Sequence, residues 1–356
     1  QWEKDGQVSR ELWSKAGAHG YLSPTVPEAY GGVEADFRYN AVVDEEVARL
    51  GLSGIGFGLH SDIAVPYIMA YGSEEQKQRY LPGCVNGDIV TAIAMTEPGT
   101  GSDLQGIKTS AVLEGDHYIL NGSKTFITNG QMADLVIVVA KTNPEDKYKG
   151  MSIFVVDRDT PGISSTKLDK LGWRASDTAE IAFDNVEIPA ENLMGEEGKG
   201  FPYVMQHFAL ERLVMGINAH ARAEYAVDYA VKYMEERVAF GKSLDRFQVL
   251  RHKIAEMASR VDMCREYNYS IAKRLNDGIY VVKEASMSKL LSTKMADEVI
   301  YEALQLLGGY GYMEEYPMAR LLRDSRLGPI GGGTSEILKE IIAKMVIDKK
   351  EYKPAT

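Results

Sequence analysis

The sequence has 356 residues, 45% of them hydrophobic and 26% charged, which is typical of a globular protein large enough for two or three domains. The net charge of -11, from 40 basic and 51 acidic residues, argues against nucleic-acid binding as the main task. No apolar run is long enough to span a membrane. Cys84 and Cys264 lie far apart and suggest neither a disulfide framework nor a metal knuckle, which favours a reducing compartment. Because the chain begins at Gln1 rather than Met, we expect that an N-terminal segment, with any targeting signal in it, is missing here.

Helical patterns dominate residues 1–87. The stretch "SEEQKQRYL" begins with a capping box formed by Ser73 and Gln76, which predicts a helix start at this point. We expect a helical N-terminal domain over residues 1–87.

Short strand patterns replace the helical ones over residues 88–197. Asn121-Gly122 in "YILNGSKTFIT" separates two β-rich runs and predicts a hairpin turn. The stretches "ADLVIVVAKT", "GMSIFVVD" and "TAEIAFDNVEI" follow at turn-separated spacing. Since helices and strands do not alternate, we expect a middle domain resembling an antiparallel β-barrel and no parallel sheet.

Residues 198–356 return to helical patterns with long stretches free of proline. The segment from Phe201 to Phe240 and the segment from Gln248 to Leu307 are each long enough for bundle helices. The predicted fold class is therefore mainly α with a middle β domain, ending in a C-terminal four-helix bundle.

The common signatures of cofactor binding and hydrolysis do not occur in this sequence. It contains no G-x-G-x-x-G, no G-x-x-x-x-G-K-[ST] and no G-x-S-x-G, and its six histidines show no metal-ligand spacing. A dinucleotide fold of the Rossmann type, a P-loop and an α/β-hydrolase site are thus not predicted.

Four stretches place glycine beside hydroxyl or amide groups: "TEPGTGSD" (96–103), "FITNG" (126–130), "QLLGGYGY" (305–312) and "PIGGGTSEI" (329–337). Glycine allows backbone N–H groups to approach a ligand closely, and Ser or Thr hydroxyls can bind phosphate or ring heteroatoms. Any one stretch alone is better explained as an ordinary turn. Together they favour an elongated ligand that lies between domains.

The same stretches resemble the acyl-CoA dehydrogenase family of flavoproteins. "AMTEPGTGSDLQG" resembles the first signature of that family and "QLLGGYGYMEEYPMARLLRD" the second, while "ERVAFGKSLDRFQ", "GWRASDTAEI" and "GGGTSEI" match in the same order. The resemblance covers essentially the whole chain. It implies three domains, FAD as cofactor, an acyl-CoA substrate, electron-transferring flavoprotein as electron acceptor and a homotetramer. It also implies a cytoplasmic location in a bacterium or the mitochondrial matrix in a eukaryote.

The resemblance also assigns individual residues to the cofactor and substrate. The residues assigned to FAD are Ile93, Met95, Thr96, Gly101, Ser102, Phe126, Ile127, Thr128, Arg237, Phe240, Phe247, Gln248, Gln305, Leu306, Gly308, Gly309, Thr334, Ser335 and Glu336. Those assigned to acyl-CoA are Ser102, Ala209, Leu210, Arg212, Gly332 and Gly333. By the resemblance, the segments containing Arg237 and Gln305 hold the FAD of a neighbouring subunit.

The chemistry requires a carboxylate that removes a proton from the α carbon of the substrate. Most members carry this glutamate where the present sequence has Gly332. Isovaleryl- and long-chain acyl-CoA dehydrogenases carry it on the first bundle helix before an arginine, which matches Glu211-Arg212 in "ALERLVMG". Apolar residues surround Glu211 at helical spacing, so we expect it to face an apolar cleft rather than solvent. For Arg212 two interpretations stay open, a contact with CoA or a surface salt bridge.

The substrate preference is less well defined by sequence. Gly331 and Gly332 suggest room beside the reacting carbons, as a branched acyl chain requires, whereas the flavin motifs look closest to long-chain members. We expect a medium or long acyl chain, with a short branched chain as the alternative. A non-catalytic flavin or acyl-CoA binding protein of the same fold is the alternative from another class.

Overall fold

A computed structural model of the protein describes residues 1–146 and 150–352. The N-terminal part is helical, with α1 (Trp2–Asp5), α2 (Arg10–Ala18), α3 (Phe37–Arg49), a π-helix (Leu59–Ala64) that continues into α4 (Val65–Tyr71), and α5 (Glu74–Asn86). Helix α5 begins at the predicted capping box, because the Ser73 hydroxyl accepts from the Gln76 N–H and the Gln76 side chain accepts from the Ser73 N–H.

The middle part forms one sheet. Its strands are β1 (Thr91–Ala94), β2 (Ser110–Glu114), β3 (His117–Ile127), β4 (Leu135–Lys141), β5 (Met151–Asp157), β6 (Ile163–Lys167), β7 (Ala179–Pro189) and β8 (Leu193–Met194). The strand order is β6-β7-β3-β2-β4-β5-β8, with β1 paired to β4. Neighbouring strands are mostly antiparallel, as predicted, but β1 and β2 each pair in parallel with β4, so the expectation of no parallel pairing is wrong for these strands. The long connection between β1 and β4 allows this arrangement, which a tight hairpin would not.

The hairpin predicted at Asn121-Gly122 is wrong. Both residues lie inside β3, and the β2–β3 turn is formed by Gly115 and Asp116 instead. Gly122 has a φ of 149° where the pairing of β3 with β7 shifts register, and a Cβ there would lie 2.5 Å from the Thr109 hydroxyl oxygen. The glycine therefore serves a β-bulge and a close backbone approach rather than a turn.

The C-terminal part is again helical, which confirms the predicted helical bundle. Its elements are α6 (Gly200–Glu236), a two-stranded ribbon of β9 (Val238–Ala239) and β10 (Lys242–Ser243), α7 (Gln248–Asn276), α8 (Val282–Leu307), α9 (Pro317–Ser325) and α10 (Ser335–Val346). Helix α6 packs on α3, α7 and α8, so it is central to the core between the helical parts. No helix among the described residues is both long and apolar enough to cross a membrane.

Candidate active site

Glu211 lies on the buried face of α6. It is 6% exposed, and burial raises its pKa from the ordinary 4.5 to about 7, although the neighbouring Arg212 charge and a hydrogen bond from Tyr67 oppose the rise. The Tyr67 hydroxyl on α4 donates to Glu211 Oε1 over 3.3 Å. The expectation that Glu211 is buried rather than facing solvent is confirmed, and a solvated surface charge is excluded.

Aromatic rings cover the carboxylate on the side of α4. The Tyr67 ring stacks on His207 with a centroid distance of 4.3 Å, and Tyr71 stacks on Tyr203 at 3.8 Å. Burial lowers the pKa of His207 to about 4, so its imidazole is neutral at physiological pH. Tyr67 and the neutral ring stacked on it thus contribute to the burial of Glu211, and this burial is the physical reason for its raised pKa.

Arg212, the next residue on α6, reaches toward α8. It is 5% exposed, its Nη1 donates to the Ser286 hydroxyl over 3.3 Å, and its guanidinium lies over the Phe208 ring at 5.1 Å. Its Nε has no hydrogen-bond partner within the described residues. The surface salt bridge left open by the sequence is therefore excluded, and the side chain retains a free buried donor.

The glycine loop at residues 331–333 lies beside this pair of charges. Arg212 Nη2 is 4.0 Å from where a Cβ on Gly333 would lie, and the Gly333 carbonyl accepts from Lys289 Nζ over 2.6 Å. Lys289 has no exposed surface, and burial, together with the Arg212 charge, lowers its pKa to about 8. Lys289 thus fixes the loop to α8 next to Glu211-Arg212.

The space expected beside Gly331 and Gly332 is not open. The Met215 sulfur lies 2.6 Å from the position of a Cβ on Gly332, and Gly332 has a φ of 60°. The unbranched Met215 side chain on α6 therefore occupies the room that was expected beside Gly332. The left-handed backbone also explains glycine at this position without any role in substrate size.

The first glycine-rich stretch is fixed to β3 by a buried ion pair. Lys124 Nζ donates to the Met95 carbonyl over 3.0 Å and to Glu97 Oε1 over 2.9 Å. Glu97 also accepts from the backbone N–H groups of Lys108 and Thr109. This network closes both ends of the loop and holds it against the segment at 126–128.

The segment at 126–128 presents one aromatic side chain to solvent. Phe126 is 69% exposed with a φ of 60°, while Ile127 is buried in the sheet core and Thr128 is half-buried. An exposed phenylalanine held in left-handed backbone is unfavourable without a ligand or partner, which makes this segment a binding-site candidate.

A separate cavity of about 410 Å³ lies at the end of α6. Its lining includes Arg237 together with residues 305–309, so two of the predicted segments meet there. The Arg237 guanidinium lies 5.7 Å from the centroid of the Tyr310 ring. Beside the cavity, Phe240 is 95% exposed at the tip of the β9–β10 ribbon, and its ring packs edge-on against Phe247. None of the residues around Glu211 lines this cavity.

The last glycine-rich stretch, residues 329–337, leads into the start of α10. Thr334 is the N-cap, and its hydroxyl accepts from the Ile337 N–H over 3.4 Å. Ser335 and Glu336 occupy the first turn, Ser335 half-buried and Glu336 exposed. The Ser335 N–H donates to the Pro329 carbonyl over 3.1 Å, so of the first three N–H groups of this helix that of Glu336 is the one left for an anionic group.

The other predicted residues differ in their exposure. Gly101, Ser102, Gln248, Gln305, Gly308 and Gly309 are exposed, Ile93, Thr96, Leu210, Gly332 and Gly333 are half-buried, and Met95, Leu306 and Ala209 are buried. Ala209 packs in the core between α6 and α3.

Sequence reasoning did not identify Tyr67, Lys124 or Lys289. Tyr67 is 144 residues from Glu211 in the chain, and nothing near it in sequence signals that contact. Lys124 carried a usable signal, since a lysine in the middle of a β-rich run must either reach solvent or find a buried partner.

The chain matches three family models: the acyl-CoA dehydrogenase N-terminal domain over residues 1–88, the middle domain over 92–186 and the C-terminal domain over 198–347. It is 45% identical over 355 residues to the mitochondrial long-chain specific acyl-CoA dehydrogenase of Mus musculus, and the match covers 98% of this chain and 81% of that relative. It is 39% identical over 339 residues to the mitochondrial isovaleryl-CoA dehydrogenase of Pongo abelii, covering 94% and 80%.

Solved structures agree with these relatives. An acyl-CoA dehydrogenase from Geobacillus kaustophilus superposes with a TM-score of 0.95 at 48% identity, covering 97% of this chain and 92% of that one. An acyl-CoA dehydrogenase from Bacillus anthracis, solved in complex with FAD, superposes with a TM-score of 0.91 at 33% identity, covering 96% and 63%. These matches show that the chain belongs to the acyl-CoA dehydrogenase family of flavoprotein oxidoreductases.

Proposed function

We propose that the protein uses FAD to oxidise a medium- or long-chain saturated acyl-CoA to the trans-2-enoyl-CoA, with Glu211 as the base. The observation that carries this proposal is the burial of Glu211 beside Tyr67, with a pKa of about 7. A protein that only binds flavin or acyl-CoA has no need of a buried carboxylate, which is costly to keep in the core.

A carboxyl group with a pKa near neutrality suits the removal of a weakly acidic α proton. Because burial raises the pKa of Glu211, its ionised form has a higher proton affinity than an ordinary carboxylate. The Tyr67 hydroxyl orients the carboxylate by its hydrogen bond to Oε1, leaving Oε2 to take the proton. FAD, when bound, supplies the acceptor for the hydride that leaves the β carbon.

The chain offers groups that fit FAD in two places. The first place is formed by the loop at 95–109, which Lys124 fixes to β3, and by the exposed Phe126. Together they offer the planar flavin ring a rigid backbone and an exposed aromatic side chain. Arg237 in the 410 Å³ cavity suits a pyrophosphate, because its donors match phosphate oxygens. Since the cavity shares no lining residue with the surroundings of Glu211, we assign it to the FAD of a neighbouring subunit in a homotetramer.

Arg212 is our candidate for a contact with the acyl-CoA. Its Nε is buried without a partner, and a carbonyl or phosphate oxygen of the substrate would satisfy that donor. Its charge would also favour the ionised form of Glu211 without cancelling the effect of burial.

The preference for a medium or long chain rests on the resemblance to long-chain members and on Met215. This side chain fills the space beside Gly332 that a branch on the acyl chain would need. A short branched substrate of the isovaleryl type stays the alternative, since Met side chains adapt readily to a ligand. The proposed electron acceptor is electron-transferring flavoprotein.

The test is reduction of the bound flavin by a panel of acyl-CoAs without oxygen. Purified protein should be yellow, and saturated acyl-CoAs of medium or greater length should bleach it with a higher kcat/KM than butyryl-CoA. A protein that cannot be reconstituted with FAD would contradict the assignment, and isovaleryl-CoA as the best substrate would replace the long-chain interpretation by the branched one.

A further inference from the structure

A second group of buried carboxyls lies on two elements that pack against α6, the helix of Glu211. Asp62 is on the π-helix five residues before Tyr67, and Asp44 is on α3; they are 3% and 6% exposed. Their side chains are hydrogen-bonded to one another, and Asn40 Nδ2 donates to Asp62 Oδ1. Burial raises the pKa of both carboxyls, Asp44 to about 7 and Asp62 well above its ordinary value, so that the pair shares a proton.

Helix α6 connects this group to Glu211. Glu211, Met215 and Asn218 are spaced i, i+4 and i+7, so they lie on one face of the helix. Met215 and Asn218 are only half-buried on a helix whose neighbouring positions are mostly buried, and the Asn218 side chain is hydrogen-bonded to Asp44. The rise of α6 places Asn218 about 10 Å from Glu211 along the helix axis.

Gly58 places no side chain next to these carboxyls. A Cβ on Gly58 would lie 2.8 Å from Asp44 Oδ1 and 3.4 Å from Asp62 Oδ2. Gly58 itself is half-buried and directly precedes the π-helix, so no side chain at this position stands beside the two carboxyls.

The group has hydrogen-bonding capacity left over. Asp44 Oδ2 and Asn40 Oδ1 are buried and have no hydrogen-bond partner within the described residues. Unsatisfied buried acceptors are costly and call for a donor. A methyl-terminated chain offers none, whereas a hydroxyl offers one.

We propose that Asn40, Asp44, Asp62 and Asn218, the distal polar cluster, form a subsite for a hydroxyl group on the far part of the acyl chain. The inference rests on the proposed function, since it takes Glu211 as the point from which the chain extends. The hydroxyl donates to Asp44 Oδ2, while a terminal carboxylate is repelled by the same oxygen. The distal polar cluster thus selects an oxygenated, uncharged acyl chain of medium length.

The experiment compares octanoyl-, decanoyl- and dodecanoyl-CoA with their ω-hydroxy and ω-carboxy counterparts in anaerobic flavin reduction by the holoenzyme. At the best chain length the ω-hydroxy compound should exceed the methyl-terminated one in kcat/KM by about tenfold or more, and the ω-carboxy compound should be the poorest. Asp44→Asn and Asp62→Asn should each reduce the hydroxyl preference toward one, while Asp228→Asn, an exposed change on α6, should leave it intact.

The inference is overturned if the wild type shows, at every chain length, equal kcat/KM for the ω-hydroxy and the methyl-terminated compound. It is also overturned if the preference for the ω-hydroxy compound survives both substitutions. If the two variants fail to fold, the wild-type ratio and the position of the ω-carboxy compound decide alone. Failure of the proposed function gives a different result, because then no acyl-CoA of any kind bleaches the flavin.

Discussion

Replacing the proposed base with its neutral isostere tests both the chemistry and the electrostatics of the site. Glu211→Gln keeps the shape and can still accept the hydrogen bond from Tyr67. Without a proton acceptor, reduction of the flavin by acyl-CoA should fall by about 10²–10⁴. In the wild type kcat/KM should rise with pH through about 7 as the carboxyl ionises, whereas the residual activity of the variant should lack this step.

The same substitution should change stability in a pH-dependent way. A carboxyl whose pKa rises from 4.5 in the unfolded chain to about 7 in the fold destabilises the folded state once the pH exceeds 4.5, and the full penalty is present above 7. This rise corresponds to about 3 kcal/mol. The variant should therefore match the wild type in unfolding free energy near pH 4.5 and exceed it by up to about 3 kcal/mol at pH 8.

Stopped-flow reduction without oxygen and urea unfolding at several pH values measure the two effects. Glu235→Gln, an exposed change on the same helix, is the matched control and should alter neither. Flavin reduction by the Glu211 variant at close to the wild-type rate would refute its role as base. A stability difference independent of pH would refute the argument from burial.

Two further substitutions test the surroundings of the site. Lys124→Met leaves a buried carboxylate unpaired and should lower the unfolding free energy by about 3–5 kcal/mol and weaken FAD binding in a flavin titration, whereas Arg79→Met, at a more exposed ion pair, should cost less than about 1 kcal/mol. Equal effects of the two changes would contradict the importance of burial. Gly332→Ala should cost about 1–2 kcal/mol, because it forces alanine into left-handed backbone against Met215, while Gly331→Ala, where a Cβ makes only an ordinary contact, should be nearly neutral in thermal unfolding. The opposite order would show that the backbone of this loop differs from the one described.

The residues that could be predicted from sequence are those whose signal is local. The apolar residues around Glu211 lie within one or two helical turns of it, so the 3.6-residue period was enough to predict its burial. Tyr67 and Lys289 reach the site from distant helices, and no local pattern encodes such a contact. Asn121-Gly122 was misread because a glycine at a bulge and a glycine in a turn share the same local signature, and only the close approach of Thr109 distinguishes them. The room expected beside Gly332 could not be judged from sequence either, because the space left by the missing side chain is filled by Met215 of α6.

Helix α6 runs without a break for 37 residues, from Gly200 to Glu236. It carries the proposed base Glu211 and Asn218 of the distal polar cluster, and Arg237 follows directly after its end. Each added or deleted residue in an α-helix turns everything beyond it by about 100°. A single-residue insertion between Glu211 and Asn218 would thus point the downstream half of the helix into the wrong neighbours, and no loop within it could absorb the error. Length variation in this chain should be confined to the connections between elements, where the backbone can adjust, and α6 should behave under insertion as a single indivisible unit.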